Sequence, residues 1–456
     1  MSRWARERVA QEEAARAAQA RQRARAGDLT GLRAILRGAD LPVVVDELER
    51  MASAQRAVAF RLLPRENGVR AFQMLDPAVQ ADLLAELRPG EVGRLIADLD
   101  PDDRAHTLEG LDPDLAGRLL ADLPEHERAK TRAVLAHEPE SVGRWATPEL
   151  VSVPQEATAG GALRVVQEQI GAAETVYVVP VVDPDGRVAG VVSLRRLIAT
   201  DPEVPVAEVM REPISVYATD DQEVGAKVVR DHGALAVPVL DDEDRLVGLF
   251  TVDDAMRVLQ IEEDEDSARS SGTSRLVKPY LSTSVGSLVR SRIAWLLILI
   301  LAATLTVNVL DYFEASLQQV VALALFIPLL IGTGGNVGAQ AAGTMIRAVA
   351  VDDVRFADLP RVLVKELATG LSLGAALAVF AYVPARFFTD PQVALVISLS
   401  LIVVCALAAT AGGLIPLLAR RLGVDPAVVS APFITTFVDA TGLIVYFLIA
   451  GAVLGI

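Results

Sequence analysis

Asp439 is the one charged residue after Asp425, in a run that otherwise reads as a single apolar helix, PAVVSAPFITTFVDATGLIVYFLIAGAVLGI. A carboxylate in the middle of a membrane span costs roughly 2.5–3.5 kcal/mol on insertion scales, and a helix that only anchored the protein has no need of it. Acids so placed usually face a water-filled path and bind a cation or a proton. The competing use is a buried hydrogen bond to a neighbouring helix through Thr435, Thr436 or Thr441. A second concentration of carboxylates is the unbroken acidic run Glu262–Asp266 in IEEDEDSARS. Such a run is ordinarily a solvated helix face, but at a membrane mouth clustered acids also attract hard cations, which take oxygen ligands.

Other chemistries lack their residues. Cys405 is the single cysteine and lies in an apolar run, so neither a disulfide framework nor a thiolate metal site is available. The four histidines (His106, His126, His137, His232) are scattered and form no ligand set. A P-loop needs a Gly-Lys pair to hold phosphates, and Lys130, Lys227, Lys278 and Lys365 each follow another residue type. The formal charge of −16 argues against a nucleic-acid partner. The chain is therefore not read as an enzyme or as an ATP-driven pump of the P-loop class.

The elements that carry these acids divide the chain. Up to about residue 290 it is strongly charged. Beyond that it becomes apolar runs broken by short polar loops, giving spans near 293–311, 317–346, 362–385, 393–419 and 431–455, each close to the roughly 20 residues a bilayer requires. The second is long and glycine-containing and is expected to bend or break. With the bulky N-terminal part in the cytoplasm, Arg347, Arg355, Arg361, Lys365, Arg420 and Arg421 all fall on the cytoplasmic side, against Arg386 outside. Residues 1–26 are Ala- and Arg-rich with no apolar core, so no signal peptide is expected. This predicts a multi-pass protein of the cell (inner) membrane with cytoplasmic N-terminal domains and an external C-terminus.

The soluble part contains two repeats. Leu63, Leu75, Leu87, Leu99, Leu111 and Leu123 recur every twelve residues, and Pro77, Pro89, Pro101 and Pro113 follow four of them. Proline suits the first turn of a helix with a polar cap before it, so this period predicts short helices stacked as a solenoid. Asp98, Asp102 and Asp103 read there as helix caps. Further on, VVPVVDPDGRVAGVVSLRR (178–196) is echoed by AVPVLDDEDRLVGLFTVDD (236–254), with Pro180 matching Pro238, Gly190 matching Gly248 and Ser193 matching Thr251. Each copy predicts strand, acidic turn, strand and a helix starting at the hydroxyl residue. The pair resembles cystathionine-β-synthase-type (CBS) domains, which commonly bind adenine nucleotides. Gly248-x-x-Thr251-x-x-Asp254 is similar to that family's ribose-contacting pattern, so Thr251 and Asp254 are expected to hold a nucleotide. The first copy has Arg196 where the acid would stand. The alternative use of Thr251 is as a helix cap.

Taken together, PLLIGTGGNVGAQ (328–340) and APFITTFVDATGLIVYF (431–447), with the solenoid, the CBS pair and five spans, resemble the MgtE family of magnesium channels. The resemblance implies a multidomain membrane protein: an α-helical solenoid N-domain (27–140) after the extension 1–26, an α/β CBS-domain pair (141–200 and 201–260), an acidic connecting or plug helix (261–292) and a five-helix transmembrane pore domain (293–456). It implies a homodimer in the lipid membrane in which Asp439 from each subunit faces Mg²⁺. Gly332 and Thr435 would supply main-chain oxygens, and Asn336 a pore-lining amide. It further implies a cytosolic Mg²⁺ sensor that closes the pore, using Glu66, Asp98 and Asp102 of the solenoid, Asp221, Glu223 and Asp254 of the CBS pair, Glu262, Glu265 and Asp266 of the connecting helix, and Asp425. ATP is implied as an optional regulatory ligand. Arg257 and Gly233 stand where the family can carry further acids, which predicts weaker gating.

Mg²⁺ releases its water reluctantly and favours octahedral oxygen coordination, so a carboxylate pair could hold it through its waters. A divalent cation moving inward gains about 4.6 kcal/mol per 100 mV, enough for a gradient on the order of a thousandfold. Two alternatives are a channel or carrier for Mn²⁺, Co²⁺ or Ca²⁺, and a membrane-anchored metal or nucleotide sensor that transports nothing. Asp439 and the glycine-rich second span argue against the sensor, which needs neither.

Overall fold

The twelve-residue period sets the first part of the fold directly. The computed structural model describes residues 28–276, 280, 283–351, 353–426 and 431–456; the extension 1–26 lies outside them. After α1 (Leu29–Gly38) come α2 (Leu41–Arg50), α3 (Ser53–Arg61), α4 (Arg65–Met74), α5 (Pro77–Glu86), α6 (Pro89–Ala97), α7 (Pro101–Glu109), α8 (Pro113–Asp122) and α9 (Glu125–Leu135). From α2 onward each helix starts at the same phase of the repeat, with proline opening α5 to α8. Proline has no N–H to leave unsatisfied at that position. Leu75, Leu87, Leu99 and Leu123 are buried between the helices, with Leu63 and Leu111 packed against them.

The period also places polar side chains inside the stack. Arg56 Nε donates to Leu48 O at 2.8 Å, Gln80 Nε2 to Phe72 O at 2.7 Å and Arg104 Nε to Ile96 O at 2.9 Å. Each adds a side-chain donor to a carbonyl in the last turn of the preceding helix, where the helix's own ladder runs out. Arg104 also pairs with Glu127 and reaches Thr131 Oγ1, both at 2.9 Å.

The CBS repeat follows as two equivalent three-stranded sheets. One is β1 (Val153–Pro154), β2 (Val178–Val182) and β3 (Val188–Ser193), with helices α10 (Ala159–Gln169), α11 (Leu194–Ala199) and α12 (Val206–Val209). The other is β4 (Val216–Tyr217), β5 (Ala236–Leu240) and β6 (Leu246–Thr251), with α13 (Gln222–His232) and α14 (Val252–Ser270). In each sheet the first pair is parallel and the second antiparallel, with the same register shift near the end. The matched glycines admit a neighbouring backbone segment that bridges to the sheet: a Cβ on Gly248 would lie 2.7 Å from Thr147 O, and one on Gly190 2.9 Å from Arg211 O. The acidic run lies on α14, continuous with the second CBS copy. Among the described residues α14 ends at Ser270, and 271–276 are not helical.

Two compact units result, the first reaching Glu262 and the second taking Glu263–Leu276 and Ser284–Ile456. The second contains the five long apolar helices: α15 (Val285–Tyr312), then, after a short α16 (Glu314–Gln319), α17 (Ile327–Ala350), α18 (Leu359–Phe388), α19 (Pro391–Arg421) and α20 (Ala431–Leu454). The second span is broken, but ahead of its glycines. A 3-10 stretch, Val321–Phe326, gives way to α17 at Ile327, with Pro328 in the first turn. The glycines themselves sit in unbroken helix, where they permit close packing rather than a kink. Gly370 and Gly374 of α18 likewise lie against α19, where a Cβ would meet Ala406 Cα and Ile402 Cα, each at 2.6 Å.

Candidate functional site

In the second unit, Asp439 is half-buried on α20. Opposite it, α17 presents Gly334, Gly335 and Gly338, all buried. A Cβ on Gly335 would lie 3.1 Å from Thr435 Cγ2 and 3.7 Å from Asp439 Oδ1. Cβ atoms on Gly334 and Gly338 would meet Val404 at 2.6 Å and Ile434 at 2.9 Å. The glycine motif therefore lets α17 approach the helix carrying the carboxylate.

The threonines near Asp439 are occupied elsewhere. Thr435 and Thr436 donate to Pro432 O at 2.8 and 2.9 Å, and Thr441 donates to Phe437 O at 2.8 Å. Among the described residues Asp439 has no hydrogen-bond or ion-pair partner. Gly332 and Asn336 stand one turn apart on the exposed face of α17. Gly332 and Thr435 both lie in unbroken helix, so each carbonyl already accepts a ladder bond and offers only its second lone pair.

The first unit gathers a different set of acids. Carboxylate oxygens of Glu174, Asp253 and Asp254 lie within 4.8 Å of one another. Asp102 is 3% exposed, and its Oδ1 has no hydrogen-bond partner. Burial, then the charges of Asp254 and Glu174, push the Asp102 carboxyl well above the usual range. Burial chiefly, with Asp103 next, raises Asp254 to about 7. Burial raises Glu174 to about 8, against a hydrogen bond from Thr147. An orphaned buried oxygen beside three clustered carboxylates fits a hard divalent cation, which takes several oxygens and brings compensating charge. Thr251 does not simply cap α14: its hydroxyl donates to Asp254 Oδ2 at 2.8 Å. In the first copy Ser193 does cap its helix, accepting from Arg196 N.

The protein's own arginines also reach the predicted sensor acids. Arg257 Nη1 donates to Asp103 at 2.8 Å and lies 3.7 Å from Asp254, while Nη2 reaches Gln73 O. It thus links the solenoid to the second CBS copy. Arg65 holds Asp98 through both oxygens at 2.8 and 2.7 Å. In the second unit Arg269 pairs with both Glu265 and Asp425, and the Asp266 charge also acts on it.

The remaining predicted residues are apart from these clusters. Glu66 is exposed in the first turn of α4. Asp221 caps α13, accepting from Glu223 N at 2.8 Å, and Glu223 pairs with Lys227. Glu262 accepts from Gln222 Nε2 at 2.6 Å. Sequence reasoning missed Glu174 and Asp253. Asp253 is adjacent to a predicted acid, but Glu174 lies in the other CBS domain, between its first helix and its second strand, and carries no local signal.

Known proteins resemble the chain along most of its length. A family model described as a divalent cation transporter matches residues 327–449, one for the MgtE intracellular N domain matches 41–140, and the CBS-domain model matches 142–202 and 206–261. The magnesium transporter MgtE of Thermus thermophilus is 39% identical over 70% of this chain and 72% of its own length. That of Enterococcus faecalis is 35% identical over 70% of both. The crystal structure of the cytosolic domain of the Mg²⁺ channel MgtE in complex with ATP superposes with a TM-score of 0.50 at 33% identity, covering 53% of this chain and 99% of that one. The chain belongs to the MgtE family of magnesium transporters.

Proposed function

We propose that this protein is a Mg²⁺-selective channel that passes Mg²⁺ inward down its electrochemical gradient and is closed by Mg²⁺ bound to its cytosolic domains. The observation that carries the reading is Asp439: a carboxylate in a membrane span, without a protein partner among the described residues, and faced across a glycine surface by α17. In a homodimer two such carboxylates hold hydrated Mg²⁺ through its waters, with Gly332, Thr435 and Asn336 contributing oxygens along the path. The names of the relatives support the ion. The protein sits in the cell membrane with its N-terminal domains cytoplasmic and its C-terminus outside.

For the gate, ions bound by Asp102, Asp254 and Glu174 with Asp253 draw the solenoid and CBS pair together. Glu66, Asp98, Asp221, Glu223, Glu262, Glu265, Asp266 and Asp425 serve as further sensor acids. Arg257 and Arg269 act as cations already attached to the chain, so part of the charge a bound ion would neutralise is met without one. ATP held through Thr251 and Asp254 modulates the same region, since Asp254 serves both ligands. Purified protein in liposomes is expected to carry Mg²⁺ inward with a rate that falls as Mg²⁺ on the cytosolic face rises. A rate indifferent to that Mg²⁺ would remove the gating half of the reading. Preference for Mn²⁺, Co²⁺ or Ca²⁺ in competition would favour the second reading, which the single acidic position also allows.

A further inference from the structure

The second unit contains a concentration of positive charge that ion conduction does not use. Arg355, Phe356, Leu417, Arg420 and Arg421 line a cavity of about 410 Å³. The Arg421 guanidinium lies over the Phe356 ring, 5.4 Å from its centroid, and this contact holds its charge at the opening. Arg420 is oriented by donating to Val349 O at 2.9 Å. Arg355 and Arg421 have no carboxylate partner among the described residues. Of the described acids near them on the chain, Asp358 is committed to Arg355 N at 3.1 Å and to Arg361 at 3.5 Å, and Asp353, two residues before Arg355, makes no ion pair with these arginines among the described residues. Three arginines thus surround one cavity in a chain whose formal charge is −16.

Position adds the second half of the argument. Phe356 is the first residue of one candidate span and Arg421 the last of the next, so the cavity opens at the level where a bilayer places its headgroups. The loop charges put that end on the cytoplasmic side, where anionic lipids supply a negative surface. Guanidinium groups bind the oxygens of a phosphate as paired donors, and the Phe356 ring and Leu417 offer apolar surface for the adjoining glycerol and acyl carbons.

We propose that Arg355, Arg420 and Arg421, with Phe356, form a binding site for the phosphodiester of an anionic phospholipid headgroup. The chemistry recognised is a phosphate ester; a free phosphate is its other source. The site requires that α18 and α19 span a bilayer with these ends on the cytoplasmic side, as the proposed topology has them, and is independent of which ion the pore conducts.

The test uses the full chain, released from membranes and titrated with phosphatidylglycerol or phosphatidylcholine, with retained lipid counted by native mass spectrometry. The protein is expected to retain phosphatidylglycerol in preference to phosphatidylcholine. R355Q/R421Q is expected to lower that retention roughly tenfold or more with an unchanged melting temperature, since both side chains are exposed. R361Q removes an equally accessible arginine outside the cavity and is expected to keep retention intact. Equal retention of the two lipids, no loss in the double variant, or an equal loss in R361Q would overturn the site. Displacement of the lipid by inorganic phosphate would overturn the lipid assignment and identify a free phosphate as the occupant.

Discussion

At the scale of single residues, much of the fold turns on atoms that are missing and on charges that are buried. Gly335→Leu would drive a side chain into Thr435 and Asp439, and Gly334→Ala would place a methyl 2.6 Å from Val404. Overpacking of this kind costs about 1–3 kcal/mol, so both variants should melt earlier in detergent, with ion flux reduced; unchanged melting would mean the helices are less closely packed than described. Arg104 is the counterpart in the soluble part. Replacing it with Ala abandons two open carbonyls, Glu127 and Thr131. Losing one side of a buried charge pair costs about 3–5 kcal/mol, which denaturant unfolding of the full chain would detect. The glycines were legible in the sequence as the motif PLLIGTGGNVGAQ. Arg56, Gln80 and Arg104 were not: a polar residue inside a repeat has no periodic signal until the carbonyls it serves are in place.

At the scale of elements, the twelve-residue period and the duplicated CBS segment were readable because each is a local pattern repeated in register. The acidic cluster was readable only in part. Asp102 and Asp254 are joined by Glu174, which comes from a third stretch of chain, and only folding brings the three together. The titration of that cluster gives a direct check. Unfolded carboxyls titrate near 4, whereas Asp254 and Glu174 are raised to about 7 and about 8. The folded form therefore binds more protons than the unfolded one in the interval between, and the stability from these groups, complete below pH 4, is lost as pH rises through 7 to 8. Hydrogen exchange of α7 and α14 without divalent ions should accelerate over that range, and millimolar Mg²⁺ should reverse the acceleration. Exchange that is flat with pH would contradict the burial of these acids. Arg257 supplies a second check. With Arg257→Gln, the linkage from Asp103 to α14 is lost, and protection of the same helices should require several-fold more Mg²⁺; an unchanged Mg²⁺ requirement would show that Arg257 carries none of the closing charge.

At the scale of the whole molecule, the order of solenoid, CBS pair and five apolar helices could be read from charge and hydropathy along the chain, since each unit buries a different pattern of side chains. The second span, expected to bend or break, is broken at Phe326–Pro328, while its glycines stay in straight helix because the packing they permit against a partner helix holds them there. All of these elements converge, for function, on whether Asp439 binds the transported ion. Asp439→Asn keeps the shape and removes the charge, and Asp439→Ala removes the oxygens as well. Mg²⁺ uptake into liposomes containing each variant, with dimer content and melting measured on the same preparations, tests the central claim most directly. Uptake is expected to fall at least tenfold in Asp439→Asn and to vanish in Asp439→Ala while both remain folded; uptake at the original rate in a folded Asp439→Ala protein would contradict the account.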